Sequence, residues 1–523
     1  MKRYLLVLLC LIPALAGCAA SAPPAEVVSE NETVTLNWYI NYSWYNTPWG
    51  ENAVSRAITE KTGANIKFIS PDGNESETLN ALIAGNSLPD LITLGWWEPQ
   101  LSEMINRGMV CPLNELADQY DPFFWTVADN QCVDWYKRPD GNVYCYPNSF
   151  YTPEDYEKND NIASNQTFLV RRDIYEAIGS PDMTVPDGFA DAVRAAAEKF
   201  PTVDGKPLIP IGAHEFTSRG CDSFDLFLMN FLAIPFEKDN VSYDRFTDPE
   251  YKRWLLMFRQ LGEEGLLAND IFIDKRVQME EKLADGRYFC MLYQRTDLAE
   301  QQRALYEQDP DKAYIAIDGP RNSSGDPHTL PGTSINGWTV TLISKNCRYP
   351  DRAIKLMSFL MSEEGQKLTS LGIEGENYIM TDGRAELTEE TETLMHSDYP
   401  AYVAQIGADN SYWMLQDNRM QAKWKPLDDP ALRQMEEWTY PYTCYTGQYN
   451  TMFIPDSKAE AANQRIYAIH GEMLPKLLLA EDEETFEALW LQYVKERKEA
   501  GIETVLEEST RQMREAKAKL GLS

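Results

Sequence analysis

The chain has 523 residues, with 48 Lys and Arg against 81 Asp and Glu, a net charge of −33 and a pI near 4.5. That length is more than one hydrophobic core fills, so at least two lobes are expected, and 43% hydrophobic with 25% charged residues excludes wholesale disorder. The acidic excess, with no cluster of Lys and Arg, argues against binding nucleic acid and against docking on anionic lipid through a basic face.

The N-terminus reads as an export signal. Met1-Lys2-Arg3 is a short positive region and Tyr4 to Ala14 is apolar, well short of the roughly 20 residues that span a bilayer. Leu15-Ala16-Gly17-Cys18 resembles the lipobox of bacterial lipoproteins, which makes the Cys18 thiol the expected acceptor of a diacylglyceryl group. Two or three long acyl chains, at roughly 0.8 kcal/mol per buried CH₂, anchor a protein almost permanently. Residues 1–17 are therefore expected to be removed, which takes away Lys2 and Arg3 and moves the net charge from −33 to −35. Residues 18–32 have the polar, Pro-broken composition of a tether. The expected location is the extracellular face of the bacterial cytoplasmic membrane, with lipid as the only membrane contact.

Strands and helices then alternate. Val34 to Ile40 reads as a strand, Asn41 to Gly50 as an aromatic loop, and Glu51 to Thr62 as a helix stopped by Gly63. Ile66 to Ile69 is a second strand, Glu75 to Ile83 a helix, and Asp90 to Thr93 a third strand. This alternation predicts a parallel sheet flanked by helices, with ligands outside the carboxyl ends of its strands. Tyr42, Trp44, Tyr45 and Trp49 follow the first strand, and Trp96-Trp97 follows the third. With 13 Trp and 28 Tyr, the chain is well supplied with flat faces for stacking on sugar rings, although most such residues pack in cores.

Several stretches, taken in order, resemble the carbohydrate-binding family of extracellular solute-binding proteins of ABC importers. Leu79 to Ile92 carries its helix, glycine turn and Pro89-Asp90 before an apolar strand. Asp140-Gly141-Asn142-Val143-Tyr144-Cys145-Tyr146-Pro147 resembles its hairpin, with Asn142 where Lys is usual. Val170 to Tyr175 with Thr184-Val185-Pro186-Asp187, then Gly265-Leu266-Leu267 and Ala284 to Arg287, follow in the family's order. Ile343 to Gly365 resembles a further family element, and Gly372-Ile373-Glu374-Gly375-Glu376-Asn377-Tyr378 resembles one of its lipoprotein branch common in Gram-positive bacteria.

Local physics accounts for these elements independently. Thr184 and Asp187 have capping-box spacing around Pro186, before a face of Phe189, Val193, Ala197 and Phe200. Pro350 opens a helix striped by Ala353, Leu356, Met357, Leu360 and Met361. Phe486, Leu489, Trp490, Tyr493 and Val494 line a helix ending at Gly501, and Ile502 to Leu520 makes another. Trp490 is read as packing.

Little in the sequence points to bond-making chemistry. Seven cysteines remain once Cys10 and Cys18 are set aside, an odd number with no C-x-x-C pair, and His214, His328, His396 and His470 lack metal-ligand spacing. No disulfide framework, metal site or cofactor is expected. No G-x-S-x-G elbow or phosphate-binding glycine loop opens a helix, and Glu374 and Glu376 are read as turn-makers beside Gly372 and Gly375.

The resemblance implies an α/β, two-lobed periplasmic-binding-protein-like fold of type II, with a hinge of about three connections. Lobe I is placed at 33–150 plus 333–385, and lobe II at 151–332 plus 386–523. It implies a monomeric, non-enzymatic receptor that captures a carbohydrate between the lobes and delivers it to ABC permease subunits. A peptide or other solute in the same fold, or an anchored carbohydrate-active enzyme, are the alternatives. The expected ligand-binding residues are Asn41, Trp44, Tyr45, Trp49, Trp96, Trp97 and Glu98 in lobe I and Tyr146 and Asn148 at the hinge, with Gln294, Arg295 and Trp338 from the second lobe and its return strand. The group Trp44, Tyr45, Trp96 and Trp97 is the expected centre. The sequence does not orient Trp413, Trp424 or Trp438.

Overall fold

The computed structural model describes residues 26, 29, 32–424, 429–454 and 456–522, so the predicted signal segment and Cys18 lie outside the described residues. Two sheets organise the chain. The first has five strands in the order Ala64–Ile69, Val34–Ile40, Leu91–Gly95, Thr339–Ile343 and Tyr146–Pro147. Its first three strands are parallel, as the alternation of strand and helix requires. The return strand 339–343 runs antiparallel to 91–95, with Thr341 opposite Thr93, and takes Tyr146–Pro147 on its outer side. The second sheet runs Tyr314–Ala316, Gln166–Arg171, Tyr288–Gln294, Ile209–Gly212, and only its 288–294 and 209–212 pair is parallel.

Period-2 alternation splits the first sheet's core between its faces. Leu36, Trp38 and Ile40 point to one face, under helix Pro350–Met361, whose predicted stripe is wholly buried. Tyr39, Ile92, Leu94 and Leu342 point to the other, under helices Glu75–Ala84 and Pro99–Asn106. Helix Ala53–Thr62 starts where the Asn52 side chain accepts the Ser55 N–H, and ends at Gly63, whose φ of +66° favours glycine. Helix Pro186–Lys199 departs from the predicted cap. Thr184 Oγ1 donates to Asp182 instead, Val185 sits at the cap position, and Ala196 rather than Ala197 is buried. An acidic neighbour two residues back outcompetes the capping geometry. The C-terminal helices Glu483–Ala500 and Ile502–Leu520 are broken by Gly501 at φ +101°, and Trp490 packs against Phe486 and Tyr493.

A second core surrounds the second sheet and takes in Met473, Leu474 and Phe486 from the C-terminal helices. The boundary at 385/386 is corrected by the packing. Tyr402, Ile406, Tyr412, Trp413 and Leu415 belong to the first sheet's core, so the chain returns to the second sheet only after Leu415. The described chain therefore passes between the cores three times, over 148–165, over 331–338 and after Leu415. Arg419 gathers Asp129, Asp155 and Asp417 around one of these passages and lies 3.9 Å over the Phe150 ring. Cys111, Cys132, Cys145, Cys221, Cys290, Cys347 and Cys444 are all free thiols.

In the second core, His470 Nε2 lies 2.6 Å from Asp225 Oδ1 and its Nδ1 2.8 Å from the Tyr493 hydroxyl, all three side chains being buried. Removing one member of such a buried pair leaves the other under-satisfied. His470→Leu is expected to cost about 3 kcal/mol of unfolding free energy, measured by chemical denaturation.

Candidate functional site

The carboxyl ends of strands 34–40 and 91–95 lie side by side, since the Asn41 N–H still donates to Thr93 O beyond the end of the ladder. This places the loop after Ile40 beside Trp96, Trp97 and Glu98. Tyr39 OH donates to Asn41 Oδ1 at 2.8 Å, and Asn41 Nδ2 donates to Glu98 Oε2 at 2.5 Å. The Gly95 N–H donates to the other oxygen, Glu98 Oε1, at 2.8 Å. Burial pushes the Glu98 carboxyl up to about 7, against the two hydrogen bonds that favour its anion, with the Glu75 charge adding to the rise. Glu75, at the start of the next helix, accepts the Ser43 N–H at 3.1 Å.

Four aromatic rings stand beside this polar group. Trp44 is 45% exposed and nearly parallel to Trp338, with 6° between the planes and ring centroids 6.2 Å apart. Trp338 lies 4.5 Å from Trp413, and Tyr42 lies 5.5 Å from both Trp44 and Trp338. Such offset and tilted arrangements are those that aromatic quadrupoles favour. One indole face thus reaches solvent while three rings back it. Trp413 is the member that sequence reasoning left without an orientation. It comes from a 3₁₀ turn, Trp413–Leu415, more than 300 residues from Tyr42, and nothing in its own neighbourhood signals that it belongs here.

The expected group Trp44, Tyr45, Trp96 and Trp97 is divided by the sheet. Tyr45 is buried, sends its hydroxyl to Ser411 O at 3.2 Å and sets its ring edge-on to Trp413 and Phe68, so it supports the cluster from beneath. Trp96 packs on the opposite face, among the residues around Leu94 and Leu101, with Trp97 edge-on to it at 5.8 Å and 45% exposed. Trp49 donates to Thr59 Oγ1 and meets Tyr412 edge-on, so it is packing.

Hinge residues are likewise committed inward. Tyr146 is buried, and its hydroxyl accepts the Asp129 N–H at 2.8 Å. Asn148 is fully buried: its Oδ1 accepts the Thr339 N–H at 2.7 Å and its Nδ2 donates to Trp413 O at 3.0 Å. Arg295 is tied to Glu436 at 2.7 Å and to Ser164 O at 3.2 Å. Gln294 is half-buried at the end of strand 288–294, opposite Gln166. Among the described residues no group of three or more His, Cys, Asp or Glu is placed to hold a metal ion, and no helix is long and apolar enough to cross a membrane.

Two outcomes follow from this geometry. Asn148→Ala leaves a buried N–H and a buried carbonyl unpaired, and is expected to lower unfolding free energy by roughly 2–4 kcal/mol in urea titrations. Glu98, with a folded-state value near 7 against an ordinary 4.5, favours folding in its protonated form. Its stabilising contribution is complete below pH 4.5 and is lost as pH rises through 7. Stability of the wild type relative to Glu98→Gln is therefore expected to fall between pH 4.5 and pH 8, read from thermal melts across that range.

Comparison with known proteins agrees with this architecture. Residues 53–379 match the family described as bacterial extracellular solute-binding protein. Lipoprotein LipO of Bacillus subtilis (strain 168) is 21% identical over 379 residues, which is 71% of this chain and 72% of that protein. Among solved structures, alginate-binding protein AlgQ2 superposes with a TM-score of 0.69 at 17% identity, covering 92% of this chain and 98% of that one. The S. pneumoniae ABC-transporter substrate binding protein FusA, in complex with kestose, gives 0.70 at 16% identity, covering 93% and 100%. At these identities the solved structures speak to the fold, which is that of two-lobed solute-binding proteins, and the match over most of the chain's length makes this protein a member of the bacterial extracellular solute-binding family.

Proposed function

We propose that the chain is a receptor anchored through lipid on Cys18, which captures an oligosaccharide between its lobes and delivers it intact to ABC permease subunits. The observation that carries this reading is the exposed Trp44 face, backed by Trp338 and Trp413 and flanked by the Asn41–Glu98 pair. A pyranose or furanose ring offers a C–H face that lies flat on an indole, and hydroxyls that pair with planar polar groups at its rim. The relatives' ligands fit this class, since AlgQ2 is named for alginate and FusA holds kestose.

Ring position suits the mechanism. Trp338 ends one connection between the lobes and Trp413 precedes another. A sugar stacked there and held also from the second lobe favours the closed arrangement over the open one, and the permease reads the closed form. The site acts as a monomer on this reading, and lobe I takes in 399–415 as well as the segments the sequence assigned to it.

One observation favours a second reading. Glu98, raised to about 7 beside Glu75, has the protonation behaviour of a glycosidase general acid. The two readings part on turnover. A thermal-shift screen of the mature chain against oligosaccharides, monosaccharides and short peptides, with product analysis of each hit, is expected to show stabilisation by an oligosaccharide recovered intact. Trp44→Ala is expected to weaken that ligand about 30-fold in calorimetric titration, with little change in melting temperature because the ring is half exposed. A degraded ligand would establish an enzyme, and stabilisation by peptides alone would remove the carbohydrate assignment.

A further inference from the structure

The polar end of the aromatic site has a charge character of its own, and the following rests on the oligosaccharide reading. Near the lobe connections two arginines are already taken. Arg295 pairs with Glu436, and Arg419 with Asp129, Asp155 and Asp417. Glu98 and Glu75 are in no ion pair among the described residues, and their protein partners are neutral donors only: Asn41 Nδ2, the Gly95 N–H and the Ser43 N–H. Each Glu98 oxygen accepts one bond and has room for another, and Glu75 is met by Ser43 and by its own backbone N–H, all neutral donors. Tyr42 connects this pair to the rings. Its face packs on Trp44 and Trp338, its buried hydroxyl has no hydrogen-bond partner, and the charges that act on it most are those of Glu98 and Glu75.

A site with surplus acceptors, whose carboxylates meet no cation among the described residues, discriminates by charge. Sugar hydroxyls donate into spare carboxylate lone pairs, and an ammonium does so with Coulombic gain. Above about pH 7, where Glu98 is ionised, a carboxylate brought to the same place meets like charge in a partly desolvated setting, so the charge test is made at pH 8. The net charge of −33 opposes the approach of a polyanion from further out.

We propose that Glu98, with Glu75 beside it, sets the charge class of the cargo: neutral and amine-bearing oligosaccharides are accepted, and uronate-containing or sialylated ones are rejected. Glu98 is the specificity residue, held in place by Asn41, and Glu75 is its outer partner. The solved relatives show that the fold itself does not fix this choice, since alginate is a polyuronate and kestose is uncharged.

The test is a calorimetric binding panel on the mature chain, with fructo-, malto- and manno-oligosaccharides, chitosan oligosaccharides, oligogalacturonates, alginate oligosaccharides and sialyllactose. Hits are expected only in the neutral and amine-bearing sets. The best neutral hit, with C6 of its terminal rings oxidised to the carboxylate, is expected to bind about 100-fold more weakly. Glu98→Gln, checked for folding by its melting curve, should narrow that gap to about tenfold, because it removes charge while keeping an acceptor. Glu75→Gln should narrow it in the same direction and gives the same reading if Glu98→Gln does not fold. A carboxylated sugar that binds as tightly as its neutral counterpart overturns this inference and leaves the carbohydrate receptor standing, as does a gap that neither variant changes. Failure of every sugar in the panel removes the carbohydrate reading, and this inference with it.

Discussion

Asn148 is the point on which the two-lobed arrangement turns. Its backbone N–H donates to Thr339 O, its side-chain oxygen accepts the Thr339 N–H, and its side-chain amide donates to Trp413 O. One buried residue therefore joins all three places where the chain passes between the cores. The next residue extends the junction, with the Ser149 N–H donating to Gln416 O. Gly337 completes it from the other side. At φ +70°, a Cβ there would stand 2.1 Å from Asn148 O, so the backbone approach that lets the Trp338 N–H reach the same carbonyl requires glycine. The rings of the candidate site are consequences of this junction, since Trp338 and Trp413 are set by the backbone groups that Asn148 holds.

Charge is sorted around the same junction. The chain is strongly acidic, yet the carboxylates beside the connections are neutralised locally, and Arg419 alone serves three of them while stacking on Phe150. Buried pairs of this kind contribute little net stability, but they fix geometry because each charge is costly to leave without a partner. The sheet edge is treated differently. Glu98 receives only neutral donors, so its ionised form is held at a cost that burial sets and a ligand's hydroxyls would offset. The contrast separates connections fixed by ion pairs from a sheet edge whose carboxylate meets only neutral donors.

Much of the fold was legible in the sequence where local and global signals agree. Strand Val34–Ile40, the stop at Gly63, the stripe under Pro350 and the helix Ile502–Leu520 stand where periodicity and glycine placement put them, because each depends on contacts within a few residues or on one buried face. The capping box at Thr184 did not form because Asp182 competes for the same hydroxyl, a choice settled by side-chain geometry that spacing does not encode. The site was half legible. Aromatics after a strand end do lie at the carboxyl edge of the sheet, but a sheet has two faces, and the direction of each indole decides which. Trp44 and Trp96 leave parallel neighbouring strands and fall on opposite sides, while Tyr45, one residue on from Trp44, turns inward. Trp413 had no local signal at all, since only the pairing of distant backbone groups brings it to Trp338.

That dependence on distant pairing places the candidate stacking surface beside the connections between the cores. The surface on which a ligand would stack is made of rings from the loop after the first strand, from the start of the return strand and from the turn before the last connection. Two of those three segments lead directly into the connections between lobes. A rotation of one core against the other must change torsions in the connections, and Trp338 and Trp413 lie beside their ends on the first core. On the proposed reading a ligand shifts the open–closed equilibrium only by the difference between its interactions in the two arrangements. Because Trp413 lies in the first core and Tyr42 and Trp338 pack against it, the stacking surface belongs to one lobe, and on the proposed reading closure draws its driving force from the contacts a ligand adds to the second lobe.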